Sequence, residues 1–315
     1  MTARTLAKGI LTWVPGLQRA FLDPTTGGGA SSASYCYGVW MKHLVLLWNH
    51  GMREMPGTVL ELGPGDSIGT GVATLLCGAN RYIAIDAVAH MRAENNVALL
   101  YELARLFRVR AARPTAGWPD FDAWLDDRLF PGDILDEDRL AATLAPERVK
   151  RIDAAVRAVA EKAPDPMLEY HTWSGLKPVP AGSVDLVFSH VVMNEVADLP
   201  SVYGDCGSWV RPGGWMSHQI DLTALGTAEA WNGHRAYSDL AWKMMAGKRP
   251  YFVNREPLAT HLALIERSGF ELVKVIREMA PDGIGREALA ARWRGISDED
   301  HATQTAFVMA RKRPH

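Results

Sequence analysis

The segment Val59-Leu60-Glu61-Leu62-Gly63-Pro64-Gly65-Asp66-Ser67-Ile68-Gly69 constrains this chain more than any other stretch. A short apolar run meets a glycine turn, and a helical stretch follows, from Ile68 to Cys77. A second apolar run, Arg81 to Asp86, then ends on an acid. Strand, helix and strand in that order imply a parallel crossover. Glycine is needed where backbone must approach a ligand with no Cβ in the way. The helix start offers free N–H groups to a polar or anionic ligand. Asp86, about twenty residues past the turn, stands where an acidic side chain can accept bonds from ribose hydroxyls. The same residues argue against two other nucleotide sites. The dinucleotide pattern G-x-G-x-x-G/A has Ile68 at its last position, and no Gly-Lys-Ser/Thr follows the turn.

The alternation continues along the chain. Further strands are predicted over Met167–His171, Val184–Ser189, Gly214–Leu222, Glu271–Ile276 and Thr305–Ala310, the last two as a possible antiparallel edge. The expected fold is α/β: a Rossmann-like, doubly wound, mostly parallel seven-stranded sheet. A helical N-terminal region (1–57) should precede a main domain (58–315). Helices are expected over Leu6–Phe21 and Tyr35–Met52, with a Gly/Ser/Thr-rich loop at Thr25–Ser34 between them. One crossover is too long for a single helix, so a helical insertion is expected over about 93–166. Within it Val149, Ile152, Val156 and Val159 recur at helical spacing behind Pro146. Lid and plain packing are equally open for this insertion.

With 48% hydrophobic residues among 315, the chain can bury a sizeable core. A formal charge of −2 lacks the basic excess of a nucleic-acid binder, and Arg311-Lys312-Arg313 reads as a solvated tail. Three scattered cysteines, Cys36, Cys77 and Cys206, suit neither a disulfide framework nor a metal site. With no membrane-length apolar run, and Pro15 interrupting the apolar stretch near the start, a cytoplasmic protein is expected. No metal is expected, for want of local ligand spacing, and the oligomeric state stays open.

Glu61-Leu62-Gly63-Pro64-Gly65 resembles the first motif of class I methyltransferases that use S-adenosylmethionine. Asp86 matches the ribose position of that family. Val184 to His190 resembles its fourth strand, and Leu199 to Gly214 the helix and turn before its fifth. The resemblance implies S-adenosylmethionine as cofactor. Gly63 and Gly65 would contact its methionine part and Glu61 its amino end. Ser67, Ser189 and His190 would also border it. Trp173 and Ser174 stand at the position that borders the adenine.

Beyond the strand ends at Ser189-His190 and His218 to Asp221, the chain is rich in polar and aromatic residues. Trp231, Asn232, Tyr237, Asn254, Arg255 and His261 suit a polyhydroxylated ring, although a single Trp or His here is more often a packing residue. Methyl transfer to a hydroxyl needs alignment and a proton acceptor. His218 is the first candidate base, followed by His234 and His190, with Asp221 to orient it or to bind the acceptor. Strand alternation puts His218 and Asp221 on opposite faces, which weakens a direct dyad. This segment resembles bacterial methyltransferases found with surface-polysaccharide biosynthesis enzymes, which implies a sugar or glycan-precursor acceptor. A natural-product O-methyltransferase and a cofactor-binding protein without catalysis are the alternatives.

Overall fold

The computed structural model describes residues 3–14, 30–116, 121–175 and 179–314. Among the described residues, two helices precede the sheet, α1 (Ala3–Leu11) and α2 (Ala33–Asn49). Positions 15–21 of the expected first helix, and 25–29 of the loop after it, lie outside the described residues.

The seven strands are β1 (Thr58–Leu62), β2 (Arg81–Asp86), β3 (Leu168–Thr172), β4 (Val184–His190), β5 (Val210–Asp221), β6 (Phe270–Met279) and β7 (Thr303–Lys312). Their order is β3-β2-β1-β4-β5-β7-β6. Strand β1 pairs in parallel with β2 and β4, and β2 with β3. β6 and β7 pair antiparallel, so the sheet is mixed, with its antiparallel pair at one edge. The order reverses at β1 and β4, the switch point where doubly wound sheets open a crevice for ligands. β5 begins at Val210, ahead of the expected Gly214.

The chain divides into two compact units. One gathers Gly27–His190, Ser208–Ser217 and Pro314–His315; the other gathers Met1–Thr26, Val191–Gly207 and His218–Arg313. Helix α1 falls in the second of these units and α2 in the first.

In the first of these units, α2 starts at Ser32, whose hydroxyl accepts from the Tyr35 amide at 3.2 Å. From Cys36 to Leu47 every residue of α2 is buried, as expected of a helix enclosed on all sides, yet Lys42 and His43 lie among them. Helix α3 (Gly69–Cys77) lies directly on Tyr82; a Cβ at Gly71 would come 2.0 Å from the Tyr82 ring. The insertion folds as α4 (Asn96–Arg108), α5 (Glu137–Thr143) and α6 (Pro146–Ala160). Val149, Ile152, Val156 and Val159 are all buried on α6, which packs on α4 and β3, while α5 packs on α3.

The second unit holds α7 (Leu199–Trp209, as far as Gly207), α8 (Asp239–Ala246), α9 (Leu258–Arg267) and the β6–β7 pair. Helix α1 packs on α8 so closely that a Cβ at Gly9 would lie 2.2 Å from the Met244 carbonyl oxygen. Among the described residues, no helix is long and apolar enough to cross a membrane, and no group of His, Cys, Asp and Glu could hold a metal ion.

Candidate functional site

The carboxyl ends of four parallel strands form one edge of the first unit. Leu62 pairs with Ile85 on one side and Ser189 on the other, and Asp86 pairs with Thr172. Gly63, Asp86, His190 and Trp173 therefore emerge near one level. Gly63 and Gly65 have φ of 67° and 74°, a backbone region open to glycine at little cost. The Gly63 amide donates to Ile85 O at 2.8 Å. Asp86, 7% exposed, accepts from Gly65 N at 3.3 Å and Ala87 N at 2.8 Å. Burial raises its pKa, while His90 and these amides pull the other way.

Glu61 is buried beneath the turn and accepts from the Tyr82 hydroxyl at 2.5 Å. Burial pushes its pKa up to about 8 against the Tyr82 bond. Asp66 Oδ1 is also buried, with no hydrogen-bond partner among the described residues. The edge thus presents acceptors suited to a ligand that carries an ammonium group and hydroxyls. The amide of Ile68, the residue before α3, is taken, since it donates to Asn96 Oδ1 at 3.2 Å.

Trp173 is 37% exposed, with Trp209 beside it at a ring separation of 6.2 Å. Ser174 is exposed, its hydroxyl 3.5 Å from that of Thr172. Ser67 points inward instead: its hydroxyl donates to the Ala30 carbonyl and accepts from Gly69 N at 3.1 Å. Ser189 is wholly buried.

His190 ends β4 within a chain of side chains. His43 Nε2 lies 3.2 Å from His190 Nδ1, and His43 Nδ1 lies 2.7 Å from Ser217 Oγ. His190 Nε2 is buried with no hydrogen-bond partner among the described residues. Tyr35 stands edge-on to the His190 ring at 6.4 Å, and Lys42 places its ammonium 4.5 Å from the Trp124 ring centre. Burial and the Lys42 charge push His190 down to about 3. Lys42, His43 and Ser217 were not singled out from sequence. The available signal was a Lys-His pair set inside the apolar run of α2.

In the second unit, most sequence-selected polar groups are committed to the fold. His218 has no exposed surface; it lies edge-on to Tyr203, 5.9 Å between ring centres. The Tyr203 hydroxyl is 3.0 Å from His261 Nδ1. Burial pushes both histidines down to about 3. The His218 ring is enclosed by Tyr203 and the core. Asp221 accepts from Thr223 N at 2.8 Å. The Asn232 amide clasps Ile284, accepting from its N–H at 2.7 Å and donating to its carbonyl at 3.4 Å. Asn254 Nδ2 donates to Met193 O and Val196 O at 2.7 and 3.1 Å. Arg255 lies between Trp242 and Trp293 and pairs with Asp239 at 2.6 Å. Tyr237 stacks on Trp242 and donates to Thr227 O at 3.1 Å. His234 is buried near Arg235 and Arg255, which with burial hold its pKa well below the usual value. Its Nδ1, the Trp231 indole nitrogen and both amide atoms of buried Asn194 have no hydrogen-bond partner among the described residues. Asn194 was not anticipated, because only the folded chain shows its amide unspent.

No protein-family model and no curated protein matches this chain. Solved structures with similar chain paths include S-adenosylmethionine-dependent methyltransferases. One from Mesorhizobium loti is 13% identical, covers 86% of this chain and 98% of its own, and has a TM-score of 0.41. One from Methanosarcina mazei is 10% identical, with coverages of 86% and 98% and a TM-score of 0.43. The Haemonchus contortus phosphoethanolamine N-methyltransferase 2, in complex with S-adenosyl-L-methionine, is 13% identical over 95% of this chain and 59% of its own, with a TM-score of 0.44. Likeness at this level concerns the course of the chain and nothing finer.

Proposed function

We propose that this chain is an S-adenosylmethionine-dependent methyltransferase whose acceptor is a hydroxyl of a sugar or glycan precursor. The observation that carries the cofactor is the positive-φ Gly63–Gly65 turn, set between buried Glu61 and Asp86 at neighbouring strand ends. The cofactor's ammonium would meet Glu61, a carboxyl that burial otherwise holds protonated. Its ribose would meet Asp86, and Trp173 offers a flat apolar face to the adenine. When bound, the cofactor supplies a methyl group on a sulfonium, an electrophile the protein need not create. The protein's own work is then to orient the acceptor and take its proton.

The polar and aromatic segment from His218 to His261 is the support for a sugar acceptor. The Trp231 indole nitrogen, His234 Nδ1 and His261 Nε2 are among its buried atoms with no hydrogen-bond partner among the described residues. Three buried, unbridged cysteines suit the cytoplasm, where thiols stay reduced. Calorimetry with S-adenosylhomocysteine and NADH tests the cofactor; tighter NADH binding would overturn it. Incubation with S-adenosylmethionine and the methyl glycosides of glucose, mannose and rhamnose, read by mass spectrometry, tests the acceptor. A product methylated on nitrogen or carbon with other substrates would overturn the hydroxyl assignment.

A further inference from the structure

We propose that His190 Nε2 is the proton acceptor for the methylated hydroxyl, and that His43 and Ser217 are positioning residues that set its tautomer. This rests on the cofactor reading above. The strand register supplies the placement: Ser189 pairs with Leu62, so His190 stands level with Gly63, at the turn assigned to the methionine end. Asp86 lies on the far side of β1 from His190, which leaves the reactive end facing β4.

The hydrogen-bond chain supplies the chemistry. If His43 Nδ1–H donates to Ser217 Oγ, then His43 Nε2 accepts from His190 Nδ1–H. His190 Nε2 is then left with an unshared lone pair, buried and with no hydrogen-bond partner among the described residues. The next residue, Val191, is held at φ 57°, where a β-branched side chain is strained; such strain gathers at functional sites. The turn Val192–Glu195 that follows is tied down by Asn254, which bonds Met193 O and Asn194 O.

In the reaction, the acceptor oxygen forms a bond to the methyl carbon, and the carbon–sulfur bond breaks with its electron pair going to sulfur. The acceptor O–H bond breaks, its pair stays on oxygen, and its proton goes to His190 Nε2. An oxygen already bonding to the methyl carbon is far more acidic than a free alcohol. An imidazole held at about 3 therefore still takes the proton downhill, and it is unprotonated throughout the neutral range.

The test needs no acceptor. Sinefungin has a carbon in place of the sulfonium sulfur and an amine in place of its methyl, so a lone pair at His190 Nε2 should favour it over S-adenosylhomocysteine. Calorimetry on the full chain should show that preference in the wild type. His190→Phe should lose it by roughly tenfold, the scale of one charge-assisted hydrogen bond, read as the ratio of the two ligands' affinities in the same protein. In ¹⁵N spectra of the assigned imidazoles, sinefungin should shift His190 Nε2. Ser217→Ala should move the tautomer signature of both His43 and His190. A preference kept in full by His190→Phe would overturn the base and leave the cofactor reading standing. Failure of the wild type to bind S-adenosylhomocysteine would take both down. Should His190→Phe not fold, an unmoved His190 Nε2 signal in the wild type with sinefungin is enough to reject the proposal.

Discussion

The strand-end edge around Gly63 and the polar segment from His218 to His261 look alike as strings of acids, histidines and aromatics. Folded, they differ in how their polar atoms are spent. At the edge, Glu61 is held neutral by burial, Asp66 Oδ1 has no partner among the described residues, and Asp86 bonds only backbone amides. In the segment, Asn232, Asn254, Arg255 and Tyr237 each tie one loop to another. A polar cluster becomes a binding site when its donors and acceptors are left over after the fold has used what it needs. A buried group that is bonded already has little left to offer a ligand, and freeing it costs its partner's desolvation.

The largest expected effect should separate the two regions directly. Asp86→Ala removes two prospective ribose bonds, and S-adenosylhomocysteine affinity should fall roughly 100-fold, or about 3 kcal/mol. Thermal stability should change far less. An unchanged affinity by calorimetry would erase the contrast from the cofactor side.

Asn254→Ala should behave in the opposite way. It removes three bonds, to Met193 O, Val196 O and Glu256 N, so urea denaturation should show a loss of about 2–3 kcal/mol. S-adenosylhomocysteine affinity should stay within threefold. If affinity collapses while stability holds, Asn254 belongs to a binding surface rather than to a clasp.

A pH scan sharpens the comparison, because Glu61 at the edge and the histidines of the segment carry shifts of opposite sense. Glu61 rises from 4.5 to about 8 in the folded chain. Between those values the folded state holds more protons than the unfolded state, so stability falls as pH rises, by up to about 1.4 kcal/mol per unit. Glu61→Gln should flatten that limb. Cofactor binding by the carboxylate form should also strengthen from pH 6 to 8 and release a proton. His218 and His261 drop from 6.5 to about 3. The unfolded state then holds more protons between 3 and 6.5, so stability is lost as pH falls through that window; His190 adds to the same limb. A stability curve that is flat from pH 4 to 8 would contradict both assignments.

The smallest effect is expected at the edge itself. Trp173→Ala should weaken S-adenosylhomocysteine binding by less than tenfold, about 0.5–1 kcal/mol, since a 37% exposed ring yields only part of its apolar area to a ligand. A loss matching that of Asp86→Ala would make the adenine face the dominant anchor instead.

Strand and helix periodicity, the Gly63–Gly65 turn and the acid at Asp86 are local, so the sequence by itself determined the α/β alternation, the glycine turn at the strand ends and the buried face of α6. Each depends on spacing within one element and on backbone sterics that any fold must obey. Only the tertiary structure decided which polar side chains were spent. His218 is enclosed because α7 brings Tyr203 against its ring. His43, buried on α2, meets His190 from 147 positions away and Ser217 from 174. Sequence order carries no information about such distances, and a hydrogen bond exists only where packing brings its donor and acceptor within about 3 Å.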